Sequence, residues 1–212
     1  MEFKCRNCNS RLEDEILDLG HQPPSNAYLY EKDLDKAEIR YPLKLFSCPN
    51  CKLVQLPEHA SSSELFTEDY AYFSSTSSSW CSHAKKFVEK AISKLDLNKN
   101  SFVVELASND GYLLQYFKES KIPCLGVEPT LATANACEKK GIKTLKEFFG
   151  NQYSSSIKNL HTPNQEGADL IIANNVLAHV PDINDFMGGI KNLLKKDGKV
   201  SVEFPHLLNL IK

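Results

Sequence analysis

The spacing of apolar residues changes at about residue 100. From Ser101 onwards, short apolar runs alternate with segments in which apolar residues recur every three or four positions. The first pattern is typical of buried strands and the second of helices with one buried face. Strands are predicted in SFVVELA, IPCLGVEP, IKTL, ADLIIA and KVSVEFP, and a helix follows each of the first four, the last ending at Gly198. This alternation predicts an α/β fold over residues 101–212, with a doubly wound, mainly parallel, Rossmann-like sheet.

Residues 61–100 are predicted to form a helical connector. Ser61 or Ser62 is placed to cap a short helix, with Glu64 in its first turn. The serine-rich stretch from Ser74 to Ser82 by itself is typical of a linker. The segment that follows has helical spacing, with apolar residues at Ala84, Phe87, Val88, Ala91, Ile92 and Leu95.

Residues 1–60 contain two CxxC pairs and two short apolar runs, YPLKLFSC and KLVQLP. The runs predict a small β-rich module. The cysteine pairs, Cys5 with Cys8 and Cys48 with Cys51, have the spacing of a four-thiolate zinc site, which would be structural because four thiolates fill the coordination shell. Two unrelated reduced or redox pairs are the alternative interpretation.

Composition narrows the class of protein without defining it. Of 212 residues, 42% are hydrophobic and 25% charged, and the formal net charge is -2. These values are ordinary for a globular protein and do not favour a chain that coats nucleic acid or an anionic membrane. No apolar run reaches 18 residues, and the first residues lack the apolar core of a secretory signal. We therefore expect a cytoplasmic protein with no membrane partner and no disulfide framework.

The stretch VELASNDG carries the first predicted ligand contacts. It places Glu105 at a strand end and continues into a turn formed by Ala107, Ser108, Asn109, Asp110 and Gly111. The turn lacks the glycines of a dinucleotide-binding loop, so it favours a ligand without a phosphate, such as S-adenosylmethionine. Glu128 and Pro129 follow the second strand, where an acidic residue binds ribose, and Asn174 with Asn175 follow the fourth. Each residue alone could equally be a turn residue or helix cap.

With these motifs in order, the sequence resembles class I S-adenosylmethionine-dependent methyltransferases. More closely, it resembles sugar C-methyltransferases that act on nucleotide-linked 4-keto-deoxysugars. The stretches that match are CRNCNS, LDLGHQPPSNAYL, YPLKLFSCPNCKLVQL, YAYFSSTSSSW, VELASNDGYLL, GVEP, NNVLAHVPD and VEFPHLLNLI. The resemblance implies an N-terminal zinc-binding module, a methyltransferase domain, and a further C-terminal domain that completes the sugar-nucleotide site. It also implies an EH segment beyond Lys212 that carries the general base.

The implied reaction is methylation of a carbon beside a ketone through an enolate. Such a reaction needs a base for the α-proton and a donor for the enolate oxygen. The candidate catalytic residues are His179, Tyr72 and Tyr70. His179 could instead be a helix-start residue, and the two tyrosines could simply pack the connector against the sheet.

Two other functions remain open at the level of sequence. A nucleic-acid base methyltransferase can combine a four-cysteine module with this fold, although the acidic balance and the absence of a basic-aromatic stripe oppose it. The chain could also be a non-catalytic S-adenosylmethionine-binding fragment. The sequence gives no indication of the oligomeric state.

Overall fold

The computed structural model describes residues 3–68 and 70–211, with the side chain of Ile211 excluded. The chain separates into two compact units. Residues up to Thr67 belong to the first, together with Pro181–Asn184, and the second comprises Glu68–Val180 and Asp185 onwards.

The first unit is a small antiparallel sheet. Its strands are β1 (Asp14–Gln22), β2 (Tyr41–Ser47) and β3 (Val54–Gln55), in that order. β2 and β3 are the strands predicted from the apolar runs. β1 was not predicted from the sequence, because its residues are almost all exposed and show no buried alternation. It is held by pairing with β2, with register irregularities along its length.

A short helix, α1 (Ser62–Leu65), ends the first unit. Ser61 is its N-cap and forms the predicted capping box, in which the Ser61 backbone N–H donates to the Glu64 carboxylate at 2.7 Å. The Ser61 hydroxyl also donates to this carboxylate, at 2.6 Å. The carboxylate therefore satisfies a backbone donor that a helix start would otherwise leave without a partner.

The second unit contains the predicted five-stranded parallel sheet. The strands are β4 (Val103–Leu106), β5 (Cys124–Val127), β6 (Thr144–Leu145), β7 (Ala168–Asn174) and β8 (Leu194–Glu203), arranged β6-β5-β4-β7-β8. The helices are α2 (Ser78–Leu95), α3 (Leu114–Glu119), α4 (Leu131–Lys139), α5 (Asn151–His161), α6 (Ile183–Leu193) and α7 (Leu207–Ile211). The predicted doubly wound α/β fold is confirmed.

One predicted boundary was wrong. α6 ends at Leu193, not at Gly198, and β8 begins at Leu194. The turn at Gly198 has no room for a larger residue, since an added Cβ would lie 2.7 Å from the carbonyl oxygen of Ala168. The lysine-rich sequence LKKDGK is typical of a helix end, but it forms the first part of β8 because this strand pairs with β7.

Alternate residues of each central strand face opposite layers of the core. In β4, Val103 packs on the side of α2 and α3, while Val104 and Leu106 pack on the side of α5 and α6. A parallel sheet is buried on both faces, which explains the continuous apolar runs. By the same alternation, Glu105 at the end of β4 lies on the α2 side of the sheet.

The strand order places a crevice between β4 and β7. The chain proceeds outwards through β5 and β6, then returns to the other side of β4 to form β7 and β8. At such a reversal the loops after the two central strands separate, and ligands bind at the carboxyl ends of the strands. A ligand-binding site is therefore expected at the residues that follow Leu106 and at the end of β7.

Candidate functional site

The turn after β4 has an unusual backbone. Ala107, Asn109 and Gly111 all lie in the left-handed region, with φ of 54°, 51° and 75°. This region is uncommon for residues other than glycine, so Ala107 carries a local conformational cost. Gly111 also has no space for a side chain, because an added Cβ would lie 2.7 Å from the sulfur of Cys137.

Four buried side-chain oxygens at this edge have no hydrogen-bond partner in the described residues. They are Glu105 Oε2, Ser108 Oγ, Asp110 Oδ1 and Asn174 Oδ1. Glu105 and Asn174 lie at the carboxyl ends of the neighbouring strands β4 and β7, and Ser108 and Asp110 belong to the turn after β4, with Ser108 Oγ directed at Gly126 of β5. A buried acceptor without a partner is costly, which points to a ligand that donates hydrogen bonds or carries positive charge.

Glu105 has the most perturbed environment. It is 1% exposed, and burial raises the pKa of its carboxyl well above the usual value, with further contributions from the charges of Glu128 and Asp110. Removal from water disfavours the ionised form, and two like charges disfavour it further. Lys140 Nζ lies 3.5 Å from Asp110 Oδ2. A further positive charge beside Glu105, such as the ammonium group of S-adenosylmethionine, would favour the ionised form of its carboxyl.

Glu128 is buried after β5 and is fully engaged with the backbone. Its Oε2 accepts from the Asn109 N–H at 2.9 Å, and its Oε1 accepts from the Thr130 N–H at 2.9 Å and the Thr130 hydroxyl at 2.5 Å. The carboxylate therefore joins the β4 turn to the start of α4. Oε1 already accepts two bonds, but Oε2 accepts only one and therefore keeps one acceptor position for a ribose hydroxyl.

The serine-rich segment is pinned to the same turn. The Asn109 side chain accepts from the Ser74 N–H at 2.9 Å and donates to the Tyr72 carbonyl at 3.0 Å. Asp110 Oδ2 accepts from the hydroxyl of Ser75. The serine-rich segment has the composition of a linker but is ordered, with a turn of 3-10 helix at Ser74–Thr76. Residues 70–76 are called the strap. The side chains of Asn109 and Asp110, predicted to contact cofactor, are at least partly used to hold this strap.

An aromatic group missed in the sequence analysis lies beside the turn. Tyr112 is 4% exposed and stacks on Trp80 with ring centroids 6.1 Å apart, and Trp80 stacks on His83 at 5.1 Å. His83 Nε2 lies 3.3 Å from Glu203 Oε2 at the end of β8. Burial raises the pKa of Tyr112, and the charge of Glu105 adds to the rise. Sequence spacing gave no signal for this group, because its members come from α2, the β4 turn and β8.

The predicted catalytic residues occupy the surroundings of the crevice. His179 is exposed on a 3-10 turn, Leu177–His179, directly after β7, and desolvation lowers its pKa. Tyr72 is 49% exposed and Tyr70 is half-buried, both on the strap. His179 follows β7 and the Tyr72 carbonyl accepts from Asn109, so these two residues lie at the carboxyl ends of the strands. The catalytic roles of all three residues remain predictions.

The remaining predicted contacts are also at this edge. Pro129 is half-buried beside Glu128. Asn175 is exposed, lies in the left-handed region with φ of 54°, and donates its backbone N–H to the Glu203 carbonyl at 2.7 Å. This bond extends the β7–β8 pairing past the end of β7 and fixes the direction of the loop that carries His179.

The four predicted metal ligands come together in the first unit. The sulfurs of Cys5, Cys8, Cys48 and Cys51 all lie within 4.8 Å of one another. The Cys5–Cys51 and Cys8–Cys48 sulfur separations are 3.6 and 3.5 Å. Tetrahedral zinc with Zn–S bonds of about 2.3 Å needs sulfurs about 3.8 Å apart, so the cluster fits this ion.

The two CxxC turns have the same backbone design. The N–H four residues after the first cysteine donates to its carbonyl, from Asn9 to Cys5 at 2.9 Å and from Lys52 to Cys48 at 3.0 Å. Asn9 and Lys52 both adopt the left-handed region, with φ of 60° and 63°. Two unrelated cysteine pairs would not be expected to share the same turn. The repetition therefore favours one site formed by all four cysteines.

Hydrogen bonds favour the thiolate at two of the four sulfurs, Cys5 and Cys8, whereas the pKa of Cys48 is raised. A hydrogen bond with the Ser10 hydroxyl at 3.3 Å, together with the Ser10 backbone, lowers the pKa of Cys8 to about 6. Gln55 donates to the Cys5 sulfur at 3.2 Å. Metal binding requires deprotonated sulfur, so these donors prepare the site.

A broad depression of about 920 Å³ lies elsewhere, at the amino ends of the strands. It is lined by charged side chains, and its central ion pair joins Lys195 to Asp169 at 2.9 Å. Because it lies at the amino ends of the strands, away from the crevice, we assign it no role. None of the helices in the described residues combines the length and apolar character needed to cross a membrane.

Comparison with known proteins agrees with this architecture. A family profile described as "Methyltransferase domain" matches residues 80–208, and one described as "Putative zinc binding domain" matches residues 5–66. Among solved structures, a SAM dependent methyltransferase from Archaeoglobus fulgidus aligns with a TM-score of 0.50 and 17% identity, covering 62% of this chain and 59% of that one. A putative S-adenosyl-L-methionine-dependent methyltransferase from Methanococcus maripaludis aligns with a TM-score of 0.51 and 14% identity, covering 69% and 66%.

The fold and the site thus define a class I methyltransferase domain with an N-terminal four-cysteine zinc module. The chain belongs to the methyltransferase domain family, whose profile matches more than half of its residues. It is also similar to the C-methyltransferase NovU of Streptomyces niveus, with 28% identity over 209 residues. That alignment covers 99% of this chain and 49% of the relative, so the chain spans about half the length of the curated relative it matches.

Proposed function

We propose that this protein takes part in S-adenosylmethionine-dependent C-methylation of a nucleotide-linked 4-keto-deoxysugar. The observation that carries the proposal is the group of four buried, unpartnered oxygens at the carboxyl ends of β4 and β7 and in the turn after β4. These acceptors suit a ligand with donor groups and positive charge and no phosphate. The similarity to a C-methyltransferase along nearly the whole chain supports carbon as the methylated atom.

The cofactor contacts follow from the geometry of the turn. Glu105 and Asn174 would accept from the amino end of S-adenosylmethionine, with Ser108 and Asp110 beside them. The backbone of the turn, from Ala107 to Gly111, would form the wall of this pocket. Glu128 and Pro129 would lie at the ribose, and Asn175 would border the acceptor side. Bound here, S-adenosylmethionine supplies an electrophilic methyl group.

The sugar would bind over the ends of β7 and β8. His179 lies on the loop after β7, where a neutral imidazole could donate to the enolate oxygen, and desolvation favours its neutral form. Tyr72 and Tyr70 would approach from the strap. The four-cysteine module would hold one zinc ion as a structural element, since no coordination position is left for substrate.

Binding and turnover test the proposal in two stages. Calorimetry is expected to show one S-adenosylmethionine site, and Glu128→Ala to weaken it by about 1–3 kcal/mol through lost charged hydrogen bonds. Methyl transfer is then followed with a thymidine diphosphate-linked 4-keto-6-deoxyglucose. Absence of S-adenosylmethionine binding would refute the proposed methyltransferase activity. Binding of RNA that weakens steeply with salt, without reaction of the sugar, would favour a nucleic-acid base methyltransferase instead.

A further inference from the structure

The side chain of Asn109 binds the backbone of the strap at two adjacent peptide groups. Its Oδ1 accepts from the Ser74 N–H at 2.9 Å, and its Nδ2 donates to the Tyr72 carbonyl at 3.0 Å. These two groups flank Phe73, which has an extended backbone with φ of -112° and ψ of 115°. In a sheet they would pair with a neighbouring strand, so the carboxamide takes the place of that strand. The two bonds are called the Asn109 clamp.

Asp110 adds two bonds to the next residue of the strap. Its Oδ2 accepts from the Ser75 hydroxyl and from the Ser75 N–H, the latter at 3.3 Å. Asn109 is 9% exposed and Asp110 is 2% exposed, so both side chains lie largely out of contact with water. Breaking such a bond leaves a buried donor or acceptor without a partner, which is costly. The turn after β4 therefore holds the strap in one place.

The strap follows the carboxyl ends of two neighbouring strands. Just before it, the Glu68 carbonyl accepts at 3.1 Å from the N–H of Ala132, which is in the first turn of α4. α4 follows β5 and Glu128, the residue proposed to contact the ribose. Further along, the strap is bound to the turn after β4, and β4 pairs with β5. The strap therefore lies along the rim of the proposed cofactor site.

The clamp determines where the strap carries Tyr72. The carbonyl of this residue is one of the two groups that Asn109 binds, and its side chain is 49% exposed, so a ligand can reach the ring. From this geometry we propose that Asn109 is a positioning residue for the methylation step, which holds Tyr72 beside the cofactor site so that its hydroxyl contacts the sugar. This inference rests on the proposed function.

Two properties of asparagine suit it to this position. Asn109 lies in the left-handed region with φ of 51°, which asparagine adopts more readily than most residues, and its backbone N–H donates to Glu128 Oε2 at 2.9 Å. Its carboxamide offers both a donor and an acceptor, as the Tyr72 carbonyl and the Ser74 N–H require. The backbone thus contacts the cofactor side and the side chain holds the strap, so the two contacts can be separated by mutation.

Asn109→Gly removes the clamp and keeps the left-handed backbone. With thymidine diphosphate-linked 4-keto-6-deoxyglucose as the varied substrate, kcat/KM is expected to fall about 10–100-fold, because misplacing a positioned group by about 1 Å can cost this much. The affinity for S-adenosylmethionine, measured by calorimetry, should stay within about threefold, since the backbone bond to Glu128 remains. The matched control is Asn164→Gly, in the turn before β7, where the asparagine also has a left-handed φ, of 53°, and kcat/KM should equal that of the wild type.

A double-mutant cycle with Tyr72→Phe tests whether Asn109 acts through the tyrosine. Residues that act as one unit have non-additive effects, so Asn109→Gly should lower kcat/KM by less than about threefold once the Tyr72 hydroxyl is absent. If Asn109→Gly does not fold, Ser75→Ala takes its place, because it removes the hydroxyl bond to Asp110 and leaves the turn unchanged. That variant is expected to lower kcat/KM about threefold to tenfold with S-adenosylmethionine affinity retained.

The outcomes separate this inference from the proposed function. Wild-type kcat/KM in Asn109→Gly, or in Ser75→Ala where that variant is used, would overturn the inference and leave the proposed function intact. So would fully additive effects in the cycle, or a loss of S-adenosylmethionine affinity as large as the loss of kcat/KM, which would place the action of Asn109 at the cofactor. A wild-type protein that binds S-adenosylmethionine yet does not methylate this sugar would overturn both.

Discussion

Replacing Glu128 by glutamine would test how the cofactor turn is held in place. Both oxygens of the carboxylate accept: Oε2 from the Asn109 N–H, and Oε1 from the N–H and hydroxyl of Thr130. Glutamine has the same shape but only one acceptor oxygen. Whichever way its amide is turned, the NH₂ group faces a backbone N–H, so at least one bond is replaced by two opposed donors.

The magnitude follows from the number of bonds. A hydrogen bond to a charged group contributes about 1.5–3 kcal/mol, and a buried donor left without a partner costs a similar amount. Thr130 hydroxyl can rotate to accept from the amide, so we expect the loss of one bond, or about 1.5–3 kcal/mol. For a chain of this size each kcal/mol shifts the Tm by about 2–4 °C, which gives a decrease of roughly 3–12 °C.

Differential scanning calorimetry without cofactor measures this effect directly. The matched control is Glu138→Gln on α4, where the glutamate is 43% exposed and pairs with Lys146 at 2.9 Å. An exposed pair of this kind contributes little, so the control should shift the Tm by no more than about 2 °C. If Glu128→Gln and Glu138→Gln shift the Tm equally, the three hydrogen bonds do not stabilise the turn as argued.

Three further substitutions probe the other parts of the site. The Glu105 carboxyl has a raised pKa in the folded state, so the wild-type protein is most stable below the unfolded-state pKa, near 4.5, and loses stability as the pH rises. Glutamine does not ionise, so Glu105→Gln should stabilise the cofactor-free protein at neutral pH. The difference in Tm between the variant and the wild type should therefore vanish near pH 4, and a difference that does not depend on pH would contradict this reasoning. The affinity of the variant for S-adenosylmethionine should be lower than that of the wild type. Native mass spectrometry is expected to find one zinc per chain in the wild-type protein. Cys48→Ser should lose this zinc and unfold the first unit, whereas Cys81→Ser, outside the cluster, should retain the metal; a folded, metal-free Cys48→Ser variant would refute the structural role. Asn109→Gly keeps the left-handed backbone but frees the strap, so amide exchange at Ser74 should accelerate at least tenfold, and unchanged protection would show that the side chain does not hold it.

Much of the fold was predictable because its strands are buried on both faces. Uniform apolar runs such as VVEL and LIIA leave little choice of secondary structure, and their alternation with helices favours a parallel sheet. β1 was missed because its residues are exposed and only pairing with β2 makes it a strand. The end of α6 was misplaced because strand pairing overrode the local helical pattern up to Gly198.

The sequence alone determined what depends on neighbours along the chain: the two CxxC turns, the short turn after β4, and the acidic residue after β5. The tertiary structure decided what depends on strand order and on the direction of side chains. It ordered the serine-rich segment through Asn109 and Asp110, and it brought His83 to Glu203 from opposite ends of the domain. The physical reason is that parallel strands bring their carboxyl ends to one edge, so residues far apart in sequence become neighbours there.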